Sequence, residues 1–406
     1  MYSNQDVLTF VEEEDVKFIR LSFHDIYGTQ KNISIMPNEL ARAFREGISF
    51  DASAIAGFGD EVESDLFLHP DPSTFSILPW RPSHGRVVRM SCDIRHPDGR
   101  PFAQDTRRIL KNAIAQAEEF GLTIGFGTEM EFYLFETDDN GQPTMTPFDN
   151  AGYMDVAPAD KGENIRREIC FTLIEMGMLP EASHHEEGPG QNEIDFLYSD
   201  ALTTAENATI FKWVVRTIAA RNGLHADFSP KPLSNQAGNG MHVNLSVESR
   251  NGNDYTNAFI AGIMKYIAEM TLFLNPVEAS YSRLGEKKAP RYITWSKQNR
   301  SQLIRIPAVK SSLQRIELRS PDPSCNVFIS FALLIYAGLS GIKDNLTLEP
   351  PCNQNLFTAD STITDSLRQL PSNLLDAKKL SLQSEFIKQH LPEELIQSYC
   401  EIPNAK

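Results

Sequence analysis

The sequence predicts an α+β protein of two domains, residues 1–100 and 101–406. Three observations predict it. Short segments in which apolar and polar residues alternate recur along the whole chain, as half-buried strands do. Helix-length segments with apolar residues at three- and four-residue spacing stand between them. A Pro- and Gly-bearing joint, "RHPDGRPF", interrupts the pattern near residue 100. A length of 406 residues is enough for more than one core.

In order, an opening helix runs to about Glu14, and "KFIRLSFHD" then alternates as a strand. "IYGTQKN" turns the chain into "ISI", which reads as a hairpin. "GRVVRMSCDI" is the next strand signal, so the first domain is a small α+β unit. Asp105 is placed to cap a helix whose apolar residues are Ile109, Leu110, Ala113, Ile114, Ala117 and Phe120, and Gly121 ends it. Beyond it, strand signals in "LTIGFGTEMEFYLFE", "NEIDFLY", "LHADFSP", "GMHVNLSV", "LIRIP" and "RIELRS" are interleaved with helical segments. The longest apolar run, Val327 to Ile342, is short for a membrane span and reads as a buried helix.

Composition narrows the function classes. Apolar content of 41% and charged content of 23% are those of a soluble globular protein. A net charge of -16 argues against nucleic acid and anionic membrane as partners, since both reward basic patches. The five cysteines are scattered without a C-x-x-C pair, which suits a reducing cytoplasm and no thiolate zinc site. The opening "MYSNQDVLTF" lacks the pattern of a signal peptide, so a cytoplasmic protein is expected.

Strand periodicity then groups the polar residues, because residues two apart point the same way. In "GTEMEFYLF", Glu129, Glu131 and Tyr133 share one face, and Met130, Phe132 and Leu134 share the other. Glu186 and Glu193 flank a Gly-Pro-Gly turn. His242, Asn244 and Ser246 lie on one face of "GMHVNLSV", and Arg315, Glu317 and Arg319 on one face of "RIELRS". Singly, each pattern also describes a solvent-facing strand; His184, His185, Glu187 and Asp195 are assigned to that reading. Together, five carboxylates and a histidine in apolar strands are the ligand chemistry of hard divalent ions such as Mg²⁺ or Mn²⁺. Arg283, Arg300, Arg305, Arg315 and Arg319 suit bidentate capture of carboxylate and phosphate. Metals with several arginines are what phosphoryl transfer needs, and no P-loop or Rossmann glycine fingerprint is present.

The segments "FDASAIAGF", "GTEMEFYLF", "EASHHEEGPGQNEIDF", "KPLSNQAGNGMHVNLS", "SYSRL", "NRSQLIRIP" and "RIELRSPDPSCN" stand in the order found in bacterial type I glutamine synthetases. The resemblance covers nearly the whole chain. It implies a β-grasp N-terminal domain, and a catalytic domain with a curved antiparallel sheet flanked by helices. It also implies sites shared between subunits of a homo-oligomeric, hexameric ring. By position, Glu131, Glu186 and Glu193 are implied to bind the metal near glutamate, and Glu129, His242 and Glu317 the metal near the ATP phosphates. Arg300, Arg305 and Arg315 resemble the phosphate-binding arginines. Arg283 and Arg319, with Gly238 in the adjoining loop, resemble the glutamate-binding set. Asp51, from the next subunit, matches the residue that helps bind and deprotonate ammonium. The implied reaction is ATP-dependent phosphorylation of the glutamate γ-carboxylate followed by displacement of phosphate by ammonia.

Departures cluster at the amine end. In the family, the flap after "SY-RL" ends in a glutamate before Ala-Pro; here "RLGEKKAP" is shorter and puts Lys288 there. Asp51, Arg300 and this altered flap position, Lys288, make up the expected catalytic set, and Lys287 is read as facing water. Ala237 replaces the asparagine that opens the glycine-rich loop, the C-terminal segment is short, and Phe357 aligns near the tyrosine that some relatives adenylylate. Three readings result: a glutamate–ammonia ligase, with Glu286 as one carboxylate able to assist the flap; a γ-glutamyl ligase for another small amine; and a ligase-deficient regulatory relative that binds nucleotide or amino acid.

Overall fold

A computed structural model describes residues 2–59, 62, 64–81, 84–308 and 315–401. The chain divides into two compact units, Met1–Ile109 with Phe171–Met178, and Leu110–Cys170 with Leu179–Lys406. In the first unit, Ser3 and Asp6 cap each other's backbone amides and start the helix Asn4–Glu13. Six strands follow among the described residues: β1 (Val16–His24), β2 (Gln30–Ile35), β3 (Ile48–Asp51), β4 (Asp65–Pro70), β5 (Ser76–Ile77) and β6 (Arg86–Arg95).

The expected hairpin is β1 with β2, and Asp25 closes its turn by accepting from the amides of Tyr27 (3.0 Å) and Thr29 (2.8 Å). Sheet order is β2–β1–β6–β4–β3, with β5 on β6. The central β1–β6 pair is parallel and its neighbours are antiparallel, which makes the mixed sheet of a β-grasp unit. Ile19, Leu21, Leu68, Val88 and Met90 fill its core. Asp105 caps Thr106–Glu119 as expected: one carboxylate oxygen accepts from the amides of Arg107 and Arg108, and the other holds the Ile94 amide.

The second unit is organised on β7 (Leu122–Thr137). The other strands are β8 (Pro143–Pro147), β9 (Pro180–His185), β10 (Gln191–Phe196), β11 (Ser199–Asp200), β12 (Leu224–Asp227), β13 (Met241–Ser249), β14 (Trp295–Lys297), β15 (Ile304–Ile306) and β16 (Ile316–Leu318). They order as β14–β15–β16–β13–β7–β10–β9, with β8, β11 and β12 also on β7. The sheet is antiparallel except that β14 runs parallel to β15, after Gln298 (φ 63°) turns the short connection back on itself.

One face of β7 carries Phe126, Met130, Phe132 and Leu134, all buried against helices. Phe126 stacks on Phe331 of the helix Val327–Lys343, with ring centroids 4.3 Å apart. That helix crosses Thr256–Leu274 at a contact of glycines, where a Cβ on Gly262 would stand 2.1 Å from the Ala337 carbonyl. Thr256–Leu274 is long and apolar enough to cross a bilayer, but it is mostly buried as a core helix of this unit. The opposite face of β7 forms the floor of a cleft.

Candidate active site

The cleft has a volume of about 390 Å³ and is lined largely by charged residues. Its floor is set by strand register. On β7, Glu129 stands opposite His242 of β13 and Asp195 of β10, and Glu131 stands opposite Glu193 of β10. Glu317 of β16 stands opposite Asn244 of β13 and Arg305 of β15. Because period-two alternation sends Met130 and Phe132 into the core, the carboxylates are obliged to face one another.

Three groups of candidate metal ligands result, each with its ligand atoms within 4.8 Å of one another: Glu129, His242 and Glu317; Glu131, Glu193 and His242; and His184, Glu186 and Glu193. His242 is common to the first two groups, and Glu193 joins the second to the third. Carboxylate oxygens with a single imidazole fit Mg²⁺ or Mn²⁺ and not a soft metal.

Electrostatics divide the carboxylates. Burial works to raise the Glu129 pKa, but His242, 3.1 Å away, with Asn244 (2.9 Å) and the Arg319 charge, outweighs it and holds the group at about 2. Burial, followed by the charges of Glu131, Asp195 and Glu129, pushes Glu193 well above the carboxylate range. Burial also raises Glu131, although His242 and Arg283 work against it and the Gly240 amide donates to it at 2.7 Å. Burial and the Glu129 charge lift Asp195 to about 7. Glu186 stays low despite burial, because His184 donates to it at 3.1 Å and the Glu187 amide at 2.9 Å. An ensemble of this kind has excess negative charge and protons to release, which is what a cation site needs.

Cationic side chains line the same cleft. Glu317 is buried between Arg305 and Arg319, ion-paired to both. Arg283, fully buried, donates to the carbonyls of Ser320 (2.8 Å) and Arg319 (3.2 Å). Gly238 leaves room for it: a Cβ there would lie 2.4 Å from the Pro230 carbonyl and 2.9 Å from Arg283 Cγ. Arg300 is exposed and lines the same cleft.

Arg315 is not among the lining residues; it is half-buried beside residues 309–314, which are outside the described set, and its charge acts on Tyr198. Tyr198 packs over Gly125 and Gly127 and donates to Ser246, further along the cleft-side face of β7. Asp51 is exposed in the N-terminal unit, where its carboxylate accepts from the Ser53 amide (3.0 Å) and hydroxyl (2.6 Å).

The flap differs from expectation. Lys287 does not simply face water: it lines the cleft and donates to the Asn235 carbonyl at 2.6 Å, fixing the flap to the glycine-rich loop. Lys288 Nζ pairs with Glu187 at 2.5 Å and lies 5.2 Å from the centre of the Tyr153 ring. Both lysines adopt left-handed backbone angles, φ 38° and 71°, at a cost of order 1 kcal/mol each. Glu286 pairs with Lys231 at 3.2 Å and is not among the lining residues. Ala237 lines the cleft and its carbonyl accepts from Tyr133 (2.7 Å).

His184, Glu187 and Asp195, which the sequence reading left on solvated surfaces, line the cleft, as do Tyr153 and Gln191. Asp195 had a usable signal, standing two residues from Glu193 on one strand face. His185 is instead a buried brace, its ring bonded to Asp149 (2.9 Å) and to the Glu186 carbonyl (2.6 Å). Asp149 also accepts from the amides of Gly190 (2.9 Å) and Lys161 (3.0 Å), and so fixes the turn between Glu186 and Glu193.

Comparison with known proteins agrees with the geometry. Residues 15–97 match the family description "Glutamine synthetase, beta-Grasp domain", and residues 103–405 match "Glutamine synthetase, catalytic domain". The chain is 45% identical to a glutamine synthetase of Clostridium saccharobutylicum, over 98% of this chain and 93% of that one. It is 44% identical to one of Methanosarcina mazei, covering 98% and 92%. Among solved structures, a GmaS–ADP complex aligns with a TM-score of 0.87 at 28% identity, over 97% of this chain and 94% of that one. Plasmodium falciparum glutamine synthetase shares the fold, with a TM-score of 0.86 at 23% identity, covering 98% and 95%. Two family matches that together span both units, relatives above 40% identity along nearly the full length, and a carboxylate floor that shares its cleft with arginines agree on one assignment: this chain belongs to the glutamine synthetase family.

Proposed function

We propose that the protein is an ATP-dependent glutamate–ammonia ligase that makes glutamine through γ-glutamyl phosphate. The observation that carries the reading is that one cleft is lined both by residues of the Glu129–His242–Glu317 and Glu131–Glu193 groups and by Arg283, Arg305 and Arg319, with Glu317 ion-paired to two of those arginines. The reaction brings a nucleotide triphosphate against a second anion, and this cleft has the charges of both signs to permit it.

Glu131, Glu186 and Glu193 would hold one divalent cation, Mg²⁺ or Mn²⁺, and Glu129, His242 and Glu317 would hold another. When bound, these cations supply positive charge that offsets the repulsion between the two anions. Arg300 and Arg305, which line the cleft, bind the ATP phosphates, and Arg315, outside the lining, joins them only on the family pattern; Glu317 keeps the Arg305 and Arg319 guanidiniums in place. Arg283 and Arg319 orient glutamate, with Gly238 permitting the approach. Asp51 of a neighbouring subunit takes the ammonium proton, which makes a homo-oligomeric ring, hexameric by family pattern, part of the working site. Residues 1–100 and 101–406 are the two domains of this soluble, cytoplasmic enzyme.

The reading is tested by ATP turnover with glutamate and Mg²⁺, first with ammonium and then with a panel of small amines. Phosphate release and glutamine formation that both depend on ammonium are expected. Turnover with another amine in place of ammonium would reassign the acceptor, and tight nucleotide binding without turnover would reassign the protein as a regulatory relative.

A further inference from the structure

We propose that Glu187 determines which amine the site accepts: paired with Lys288, it latches the flap and cancels the flap's cation, so that ammonia is preferred over anionic amines. The inference deepens the ligase reading and rests on it. Glu187 follows Glu186 directly, and its amide donates to the Glu186 carboxylate at 2.9 Å, so its backbone is fixed to the acidic floor. Its side chain reaches the flap instead, meeting Lys288 Nζ at 2.5 Å, while the Tyr153 ring lies beside the ammonium. All three residues line the cleft.

Two features make this contact more than an incidental surface pair. The flap backbone is not in a relaxed conformation, since Lys287 and Lys288 both sit at positive φ, so side-chain tethers must hold it. Side-chain tethers are present: Lys231 to Glu286, Lys287 to the Asn235 carbonyl, Arg319 to the Lys288 carbonyl at 3.3 Å, and Lys288 to Glu187. Of these, the last is the ion pair whose two charged partners both line the cleft. Glu286, the flap's own carboxylate, pairs with Lys231 and does not line the cleft.

The chemical consequence is a choice of acceptor. Paired, Lys288 presents no net charge and does not repel ammonium. Deprived of Glu187, it is a cation that attracts an amine carrying a carboxylate and disfavours a cationic one.

The test uses the full-length enzyme with ATP, glutamate and Mg²⁺, comparing kcat/KM for ammonium and for glycine. Variants are Glu187→Gln and the charge-swapped pair Glu187→Lys with Lys288→Glu. Glu187→Gln should lower the ammonium-to-glycine ratio by about ten-fold, and the swap should restore it to near the wild-type value. Hydrogen exchange of flap amides 284–289, which needs no turnover, should speed up by about two- to five-fold in Glu187→Gln, as the loss of a half-exposed ion pair implies. The swap should reverse that too. An unchanged ratio with unchanged exchange in Glu187→Gln overturns the proposal, as does a swap that behaves no better than the single variant. A wild-type protein inactive with every amine defeats the ligase reading separately; exchange then still decides whether Glu187 is the latch.

Discussion

Replacing Glu193 by Gln should stabilise the metal-free protein while weakening its response to divalent cations. Glu193 stands directly across the sheet from Glu131, with ligand atoms no more than 4.8 Å apart. At an effective dielectric constant of about 20, two full charges at that distance repel by roughly 3.5 kcal/mol. Protonation relieves part of this, because burial and neighbouring carboxylates hold the Glu193 pKa well above its ordinary 4.5. The sign follows from linkage. A carboxyl whose folded pKa is raised does no harm below its unfolded pKa, destabilises increasingly as pH rises from that value toward the folded one, and costs a constant amount above it. The gain from Glu193→Gln should therefore be small near pH 5, grow as pH rises above the unfolded pKa, and reach about 1–3 kcal/mol near pH 8. Thermal melts of the metal-free proteins should differ by several degrees at the higher pH, at ~2 °C for each kcal/mol. Mn²⁺ should raise the wild-type Tm by mass action and the variant's much less. Melting curves that coincide at both pH values, or an equal response to Mn²⁺, would refute the view that these carboxylates are held together against their own repulsion.

Two further outcomes follow from the same geometry. Gly238→Ala should push Arg283 aside, because its new methyl would lie 2.9 Å from Arg283 Cγ and has the Pro230 carbonyl behind it at 2.4 Å; the KM for glutamate should rise at least ten-fold, ~1.4 kcal/mol, with the Mn²⁺ thermal shift retained. His185→Gln should alter the pH dependence of stability: burial lowers the His185 pKa, but Asp149 and the Glu186 carbonyl outweigh it and raise the group above 6.5. Its contribution is full below pH 6.5 and is lost as pH rises through the folded value, so the gap in urea midpoints between wild type and variant should be widest near pH 5–6 and narrow above it.

Much of the floor of the site was legible because strand alternation is a local signal. "GTEMEFYLF" fixes Glu129 and Glu131 on one face without reference to any other segment, and "GMHVNLSV" does the same for His242. Register is not local. Nothing within β10 says that Glu193, and not Asp195, lies opposite Glu131, since that depends on how the Glu186–Gln191 turn closes, and Asp149, from outside both strands, holds that turn together with His185 at the end of β9. Loop residues were the least legible. Tyr153 belongs to no periodic segment, and Glu187 stands in a run of charges that a solvated turn would also have. The parallel pairing of β1 with β6 was hidden for the same reason as register, because the strands are more than sixty residues apart in the chain. The family resemblance supplied roles for Asp51 and Arg315, which strand patterning alone does not assign.

The alternation along β7 also has a consequence for what the fold can tolerate. A slip of one residue against β10 would exchange its two faces, sending Glu129 and Glu131 among the helices and Met130 and Phe132 into water. The apolar face thus acts as the restraint that keeps like charges adjacent, and its strength limits how acidic the floor can become. A substitution that loosens the packing of Phe126 on Phe331, on the face of β7 opposite the cleft carboxylates, would relax that restraint. Affinity for divalent cations would then fall through loss of register fidelity, with every ligand residue still in the sequence.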